Sequence, residues 1–482
     1  MTRINTNLAS FTAIGALNKS STSLNKSLER LSTGFKINRA ADGPAALVIS
    51  ERLRSQVSQL RQAVDNTERA QNMISTAEAA LVEINSLLQS VQDLVLESQN
   101  DGAISEEEIL ANQAQVDDAI QTIDRIATVT NFGGLDLLNG KAGYRTSNVN
   151  ASVTGAGIVE LDVNGAAITN GTSNITVNVT VTQAASQAIV SQTGGSISLS
   201  GSSLLVTGNK GSQLIHFASG TAMSAISDAV NTVTNSTGVT ASATGTTTIV
   251  FQSEFFGDDQ FVSVKDIASP LVASQFITAY DDGRDVGGRI NGATAATTGN
   301  TLSVNTSSLD MEVTMSSTFH ALNRGGTTSA TTTFYISGGG MAFQLGSGAR
   351  ESEQAFVGIE RMGSDNLGGF EAGGFLSDIV TGGDYTLLKD PETANKILQK
   401  AIDDVTGVRA KLGAFVANTL DSNVNSLNVS IENIAAAESR IRDTDFAVET
   451  AEFTRLQILV QAGTAVVAQA NLLPQTVLSL LA

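Results

Sequence analysis

Residues 53–98 read "LRSQVSQLRQAVDNTERAQNMISTAEAALVEINSLLQSVQDLVLES", and the period of this stretch decides the fold. Leu53, Leu60, Thr67, Ile74, Leu81, Leu88 and Val95 recur every seven residues. Val57, Val64, Gln71, Ala77, Ile84 and Val91 supply a second line that steps by seven except for a one-residue adjustment between Gln71 and Ala77. Two such lines on one face predict a helix packed in a coiled coil or bundle. Gly43 and Pro44 mark its start, and proline suits the first helical position. From Pro44 to Ser98 the helix would be about 80 Å long at 1.5 Å per residue.

Working outward, "QNDG" at 99–102 predicts a turn, and the next helix opens on Ser105, Glu106, Glu107 and Glu108. Ser105 with Glu108 is a capping-box pattern, and the acidic first turn suits the helix dipole. Ile109, Val116 and Ile123 form one heptad line and Gln113, Ile120 and Ala127 the other, until "NFGG" at 131–134 breaks the helix. A matching seam lies far along the chain, at Leu398, Val405 and Leu412, then Leu420, Val424, Leu427, Ile431 and Ile434, then Ile441, Val448, Leu456, Val460 and Val467. Packing the N- and C-terminal helices side by side is the economical solution, with two independent helical domains as the alternative.

The middle reads as β structure. "NITVNVTVTQ" (174–183), "SISLSGSSLLVTG" (196–208), "TTTIVFQS" (246–253), "TLSVNTSSLDMEVTM" (301–315) and "TTTFYISGGGMAFQLG" (331–346) alternate apolar or β-branched residues with small polar ones. One short helical period, Met223, Ile226, Val230 and Val233, interrupts them. The expected fold class is therefore α+β. Both termini form a long, discontinuous helical coiled coil or bundle, and a β-rich central region projects from it.

Composition narrows the function. At 482 residues the chain is too long for one core, and roughly three or four domains are expected. It has no Cys, which removes disulfides, thiolate metal sites and cysteine nucleophiles. It has no Trp and only 4 Tyr, so Leu, Ile, Val and Ala must supply slim helix packing. A net charge of -19 disfavours nucleic acid and anionic membranes as partners. The opening "MTRINTNLASFTAIGALNKS" lacks the apolar core and cleavage site of a secretory signal, and no apolar stretch of membrane-spanning length is present. Export would need a route that ignores cleavable signals, and no membrane insertion is expected.

Chemistry finds little footing. His216 and His320 are the only histidines, each isolated in a strand-like run. "DDGRDVGG" (281–288) offers Asp281, Asp282 and Asp285 but lacks the spacing and terminal glutamate of a calcium loop, so a solvated turn is the reading, as for "FFGDDQ" (255–260). No phosphate-binding loop, HExxH or GxSxG motif is present. Neither catalysis, metal nor cofactor is expected. What remains is shape and adhesion. The chain ends "VVAQANLLPQTVLSLLA" (466–482), with no charge after Arg455, and such an apolar end must find a partner. Head-to-tail contacts that do not close into a ring build a filament. Pro474 is expected to break the last helix.

Several stretches resemble bacterial flagellins. At the N-terminus these are "INTNLASFTAIGALNKS" (4–20), "LERLSTGFKINRAADGPAALVISERLRSQ" (28–56), "TAEAALVEINSLLQSVQDLVLES" (76–98) and "IDRIATVTNFGGLDLLNG" (123–140). Toward the other end, residues 409–471 and the closing "LPQTVLSLL" carry the likeness, and 208–264 resembles an insert of some flagellins. Where flagellins commonly have glutamine after the asparagine, this chain has Leu472.

The resemblance implies a subunit of the extracellular flagellar filament that serves swimming motility, with layers set by chain position. Residues 1–43 and 436–482 would form inner-layer helices, 44–142 and 386–435 the rod helices, and 143–385 the outer β-rich domains. Inner-layer contacts would fall to Leu8, Phe11, Leu17, Leu473, Val477, Leu478 and Leu481. Rod packing would fall to Leu53, Leu60, Leu81, Leu88, Leu427, Ile431 and Ile434. Arg30, Arg39, Asp42, Arg52, Asp443 and Asp445 are candidate polar register contacts. The implied partners are identical or related flagellin subunits, an export chaperone for the type III apparatus, the filament cap and hook–filament junction proteins. Flagellins also carry a patch read by the vertebrate innate-immune flagellin receptor. Gln89 and Leu94 match it here, whereas Ser90 stands where receptor-activating members have arginine and Gln115 where they commonly have glutamate. The alternatives are a hook–filament junction or related axial protein and, in a different class, an adhesin or enzyme carried by the central region.

Overall fold

The computed structural model describes residues 7–100, 104–149, 157–167, 174–193, 202–218, 220–245, 248–267, 279–306, 308–316, 330–348, 350, 353–369 and 372–479, without the side chains of 193, 202, 330 and 473–479. Its principal helices are α1 (Leu8–Thr33), α2 (Pro44–Ser98), α3 (Glu106–Val129), α4 (Met223–Asn231), α5 (Pro391–Phe415), α6 (Ser422–Arg442) and α7 (Phe446–Ser479). The chain divides into two compact units. One comprises Met1–Ala70, Gln344–Glu353 and Ala417–Ala482, and the other Gln71–Phe343 and Gln354–Val416. Long helices from both termini contact one another and flank a β-rich centre, as the sequence predicts.

From Leu60 onward the buried positions of α2 are Leu60, Ala63, Thr67, Ala70, Ile74, Ala77, Leu81, Ile84, Leu88, Val91, Val95 and Ser98, in alternating steps of three and four. This corrects the second line read from the sequence. Val57, Val64 and Gln71 lie half-buried at its edge, and alanines 63 and 70 replace Val64 and Gln71 in line with Ala77, Ile84 and Val91, which the sequence reading placed correctly. Small side chains there let a neighbouring helix approach closely, which keeps the heptad unbroken and removes the adjustment at Gln71. In the first unit, Leu60 and Ala63 bury against Leu427, with Val64, Ile431 and Ile434 packed around them. Burying each large apolar side chain contributes about 1.5–3 kcal/mol. Thr67 Oγ1 donates to Ala63 O at 2.8 Å and accepts from Asn423 Nδ2 at 3.2 Å, so this polar residue within the apolar seam is satisfied.

In the second unit, α3 starts with the expected box, Ser105 Oγ accepting from Glu108 N and Glu108 Oε2 from Ser105 N. Its inward face includes Gln113 beside Ile109, Val116, Ile120 and Ile123. Gln113 Nε2 donates to Ile379 O and its Oε1 accepts from Leu387 N, both at 2.9 Å, so a glutamine on an apolar seam fastens a distant loop. Helix α5 has Asp390 as N-cap and Pro391 in its first turn. A π-helical turn, Val416–Asp421, follows. Its wider turn absorbs one residue, so the eight-residue step from Leu412 to Leu420 leaves both leucines buried.

The β-rich centre holds two cores. In the first, a five-stranded sheet that includes Ile175–Gln183 and Ala330–Gly339 faces a four-stranded sheet of Ala296–Thr298, Thr301–Asn305, Leu309–Met315 and Ile158–Ala166. Val177, Val179, Phe334, Leu302, Met311 and Val313 fill the space between them. The second core collects Leu204, Val206, Val239, Ile249, Phe251, Val262 and Val264 from a three-stranded and a four-stranded sheet, with Met223, Ile226 and Val230 of α4. The run 301–315 is not one strand but an antiparallel hairpin pairing Thr301 with Thr314 and Asn305 with Asp310. Thr306 makes the turn, its N–H donating to Leu309 O and its Oγ1 accepting from Leu309 N. The run 331–346 also divides, at Gly340, whose φ of 73° and close approach to the Tyr144 ring exclude any side chain. Residues 196–201 of the 196–208 run lie outside the described residues.

An electrostatic seam joins strand Ile158–Ala166 to α5. Lys400 Nζ lies 3.8 Å from Glu160 and 3.1 Å from Asp404, and Lys411 Nζ 3.7 Å from Asp162. Burial, and then the neighbouring Asp162 carboxylate, push the Glu360 carboxyl from its ordinary 4.5 up to about 9, with Lys411 opposing. The folded chain thus holds a proton that the unfolded chain releases. This contribution is full below about pH 4.5 and is lost as pH rises through about 9. Glu360→Gln, which keeps the neutral shape, is expected to flatten the decline of melting temperature between pH 5 and 9. Parallel melting curves for parent and variant across that range would refute the assignment.

Candidate assembly interface

Helix α1 opens on Asn7, whose Oδ1 accepts from Ser10 N at 3.1 Å, and ends at Gly34 in the left-handed conformation, φ 75°. Helix α7 runs antiparallel to it. Leu17 packs on Gly463, where an added Cβ would meet Leu17 Cδ1 at 3.2 Å, and Arg30 Nη1 lies 3.5 Å from Glu449. Beyond Gly34 the chain is stitched to the junction of α6 and α7. Lys36 N donates to Arg442 O at 2.7 Å and Thr444 N to Gly34 O at 2.9 Å. The Arg442 guanidinium covers the Phe35 ring at 4.6 Å and reaches Glu51 at 3.1 Å. Gly34 is suited to this corner because the left-handed turn costs it little.

The α1–α7 pair inverts the usual burial order. Its buried positions are, apart from Leu456, small or polar: Ser10 and Ser27 on α1 and Glu449 and Ala470 on α7. Leu8 is 75% exposed and Phe11 71%, and Phe446, Val448, Ile458, Val466 and Leu472 are exposed as well. On α2 and α3 a continuous line of large apolar residues, among them Ile74, Leu81, Leu88, Val116 and Ile123, is buried, although Val48, Ile49, Val82, Leu96, Leu110 and Val129 are exposed. An apolar surface of this kind marks an interaction site.

Among the residues singled out from the sequence, Leu8 and Phe11 face outward and Leu17 is half-buried. Leu473, Val477 and Leu478 stand on the last turns of α7, their side chains outside the described residues, as is all of Leu481. The expected break at Pro474 is corrected: α7 continues to Ser479, and Ala470 O, the carbonyl that the proline leaves without its helical donor, accepts from Asn7 Nδ2. Leu60, Leu81, Leu88 and Leu427 are buried, and Leu53, Ile431 and Ile434 half-buried. Arg39 pairs with Glu29 at 3.0 Å and Asp42 with Lys26 at 2.6 Å, whereas Arg52 lies exposed. The Lys26 hydrogen bond, with the N–H groups of Arg39 and Asn38, lowers the Asp42 carboxyl to about 2. Asp443 Oδ2 accepts from Ser439 Oγ at 2.6 Å, and Asp445 Oδ1 caps α7 through Ala447 N at 2.9 Å. Gln89, Ser90 and Gln115 are exposed and Leu94 half-buried.

Sequence reading missed Asn7, Lys26, Glu449 and Arg442. Each works through a partner brought near by the antiparallel pairing or by the turn after α1, and nothing in the local sequence signals this. Elsewhere the carboxylates of "DDGRDVGG" serve backbone N–H groups, Asp281 that of Ile189 and Asp285 those of Asp258 and Gly299. His216 Nδ1 sits 2.7 Å from Ser203 Oγ on an exposed strand pair, and His320 lies outside the described residues. No group of three potential metal ligands occurs among the described residues.

The family model for the bacterial flagellin N-terminal helical region matches residues 4–142, that for the C-terminal helical region 396–481, and that for the flagellin hook IN motif 203–254. The chain belongs to the bacterial flagellin family. Flagellin of Salmonella muenchen and B-type flagellin of Pseudomonas aeruginosa are each 29% identical to it, with 99% of both chains covered. Flagellin A of Vibrio cholerae is likewise 29% identical over 99% of each chain. Like its family it is a structural, filament-forming subunit rather than an enzyme, and it is an extracellular protein of the flagellum. The hook IN match falls on the second β core, which includes α4.

The Leu17–Gly463 contact leaves no room for a branched side chain. Gly463→Val is expected to lower the disassembly temperature of filaments by about 3–6 °C. Calorimetry on parent and variant filaments checks this, and an unchanged transition would remove Gly463 from the helix–helix contact.

Proposed function

We propose that this chain polymerises into the flagellar filament through α1 and α7, with Leu8, Phe11, Leu17, Leu473, Val477, Leu478 and Leu481 contacting neighbouring copies. The observation that carries this reading is the outward-facing apolar set on the α1–α7 pair, which one copy of the chain leaves uncovered. The leucines of the rod, Leu53, Leu60, Leu81, Leu88 and Leu427, with Ile431 and Ile434, hold the subunit itself together, and residues 143–385 form the outer surface. Arg30, Arg39, Asp42, Asp443 and Asp445 fix register through ion pairs and caps within the subunit, and Arg52, exposed on α2, is a register contact toward a neighbouring copy. The subunit leaves the cell without a cleavable signal, escorted by an export chaperone, and assembles beneath the filament cap onto hook–filament junction proteins. Phe11→Asp and Leu478→Asp are expected to keep the helical content of the monomer and to cut filament yield, counted by electron microscopy, more than tenfold. Normal yields from both variants would overturn the assignment.

The exposed Gln89, Ser90 and Gln115 with half-buried Leu94 form the surface that the flagellin receptor reads, in a weakened version. The Ser90 hydroxyl donates to Ser86 O of its own helix at 3.0 Å, so it offers a partner no fork of donors such as arginine presents. Ser90→Arg is expected to raise the response of receptor-bearing cells about tenfold in a dose series, and equal responses would reject this role for position 90.

A further inference from the structure

Pro474 lies inside α7, and the helix continues past it to Ser479. Proline has no N–H, so the carbonyl four residues earlier, Ala470 O, loses its helical donor. Ala470 is only 6% exposed, and a buried carbonyl without a donor is costly. The donor comes from the opposite end of the chain, where Asn7 Nδ2 donates to Ala470 O at 2.7 Å. The other atom of the same carboxamide, Oδ1, accepts from Ser10 N at 3.1 Å and caps α1. Ser10 Oγ then donates to Asn471 Oδ1 at 2.8 Å, one residue beyond Ala470.

We propose that Asn7 is the positioning residue for the terminal helix pair, its carboxamide capping α1 while supplying the donor that Pro474 withholds from Ala470. Within the body of α7 the other carbonyls already accept from the N–H four residues on, so a vacant acceptor exists where the proline creates it. Sliding α1 by one helical turn, about 5.4 Å, would face the Asn7 amide with an occupied carbonyl and leave Ala470 O unpaired. The clasp therefore selects one axial register. Only a side chain with both an acceptor and a donor at this reach does both tasks. A serine caps the helix but is too short to reach Ala470, and alanine does neither. The register decides where Leu8 and Phe11 of α1 stand relative to Leu472 of α7, and so which apolar surface the pair presents. This inference rests on the proposed role of α1 and α7 in subunit contacts.

The test is a cycle on the full-length chain, read as the critical concentration for polymerisation. Asn7→Ser keeps the cap and removes the donor, and it is expected to raise the critical concentration about tenfold. Pro474→Ala restores an N–H to Ala470 O and is expected to be within about twofold of the parent. In the double variant the penalty of Asn7→Ser is expected to shrink to about twofold, because the carbonyl is then satisfied within α7. An Asn7→Ser penalty that is the same with proline or alanine at 474, or no penalty at all, overturns the proposal. Failure of the underlying reading is separately visible, since Phe11→Asp would then polymerise normally whatever the coupling between Asn7 and Pro474.

Discussion

The antiparallel pairing of α1 with α7 joins residues 463 positions apart, and the organisation of the first unit depends on it. Helix α1 lacks a self-sufficient apolar face. Its nearly buried residues are two serines, and an isolated helix of 26 residues with that face is marginal in water. Docked along α7 it gains the Leu17–Gly463 contact, the Arg30–Glu449 ion pair and the clasp at Asn7. The backbone ladder between Phe35 and Asp443 then fixes the corner where α1, α6 and α7 meet.

Burial order separates two kinds of helix in this chain. On α2 and α3 an unbroken line of large aliphatic side chains turns inward, so those helices spend most of their apolar surface within the subunit. On α1 and α7 mostly small and polar residues, with Leu456, form the inner seam, and Leu8, Phe11 and Ile458 turn outward. Small inner residues permit close approach of backbones, and large outer ones leave apolar area available to other copies.

Polar groups set register where apolar seams alone would permit slip. Gln113 holds Ile379 and Leu387, Asp124 accepts from Ser364 N and Oγ at 2.7 and 2.8 Å, and Asn423 reaches both Thr67 and Leu345 O. A heptad repeat is indifferent to sliding by seven residues, whereas a buried hydrogen bond is made at one alignment only. Glu360 is the extreme case, a buried carboxyl beside Asp162 that favours its proton.

The sequence by itself determined the helical ends, because a heptad repeat is a local pattern that a reader can count, and it determined the β character of the centre from alternation. It also carried the motifs of the family. It misplaced the second line of α2, since alanine is a weak signal of burial beside valine, and it missed the turn at Thr306 within an otherwise alternating run. Only the tertiary structure decided that Pro474 does not end α7, that Gln113 is a clasp and that Asn7 reaches Ala470. Each of these depends on a donor or acceptor contributed by a segment remote in sequence, and hydrogen-bond partners chosen by folding leave no period in the chain.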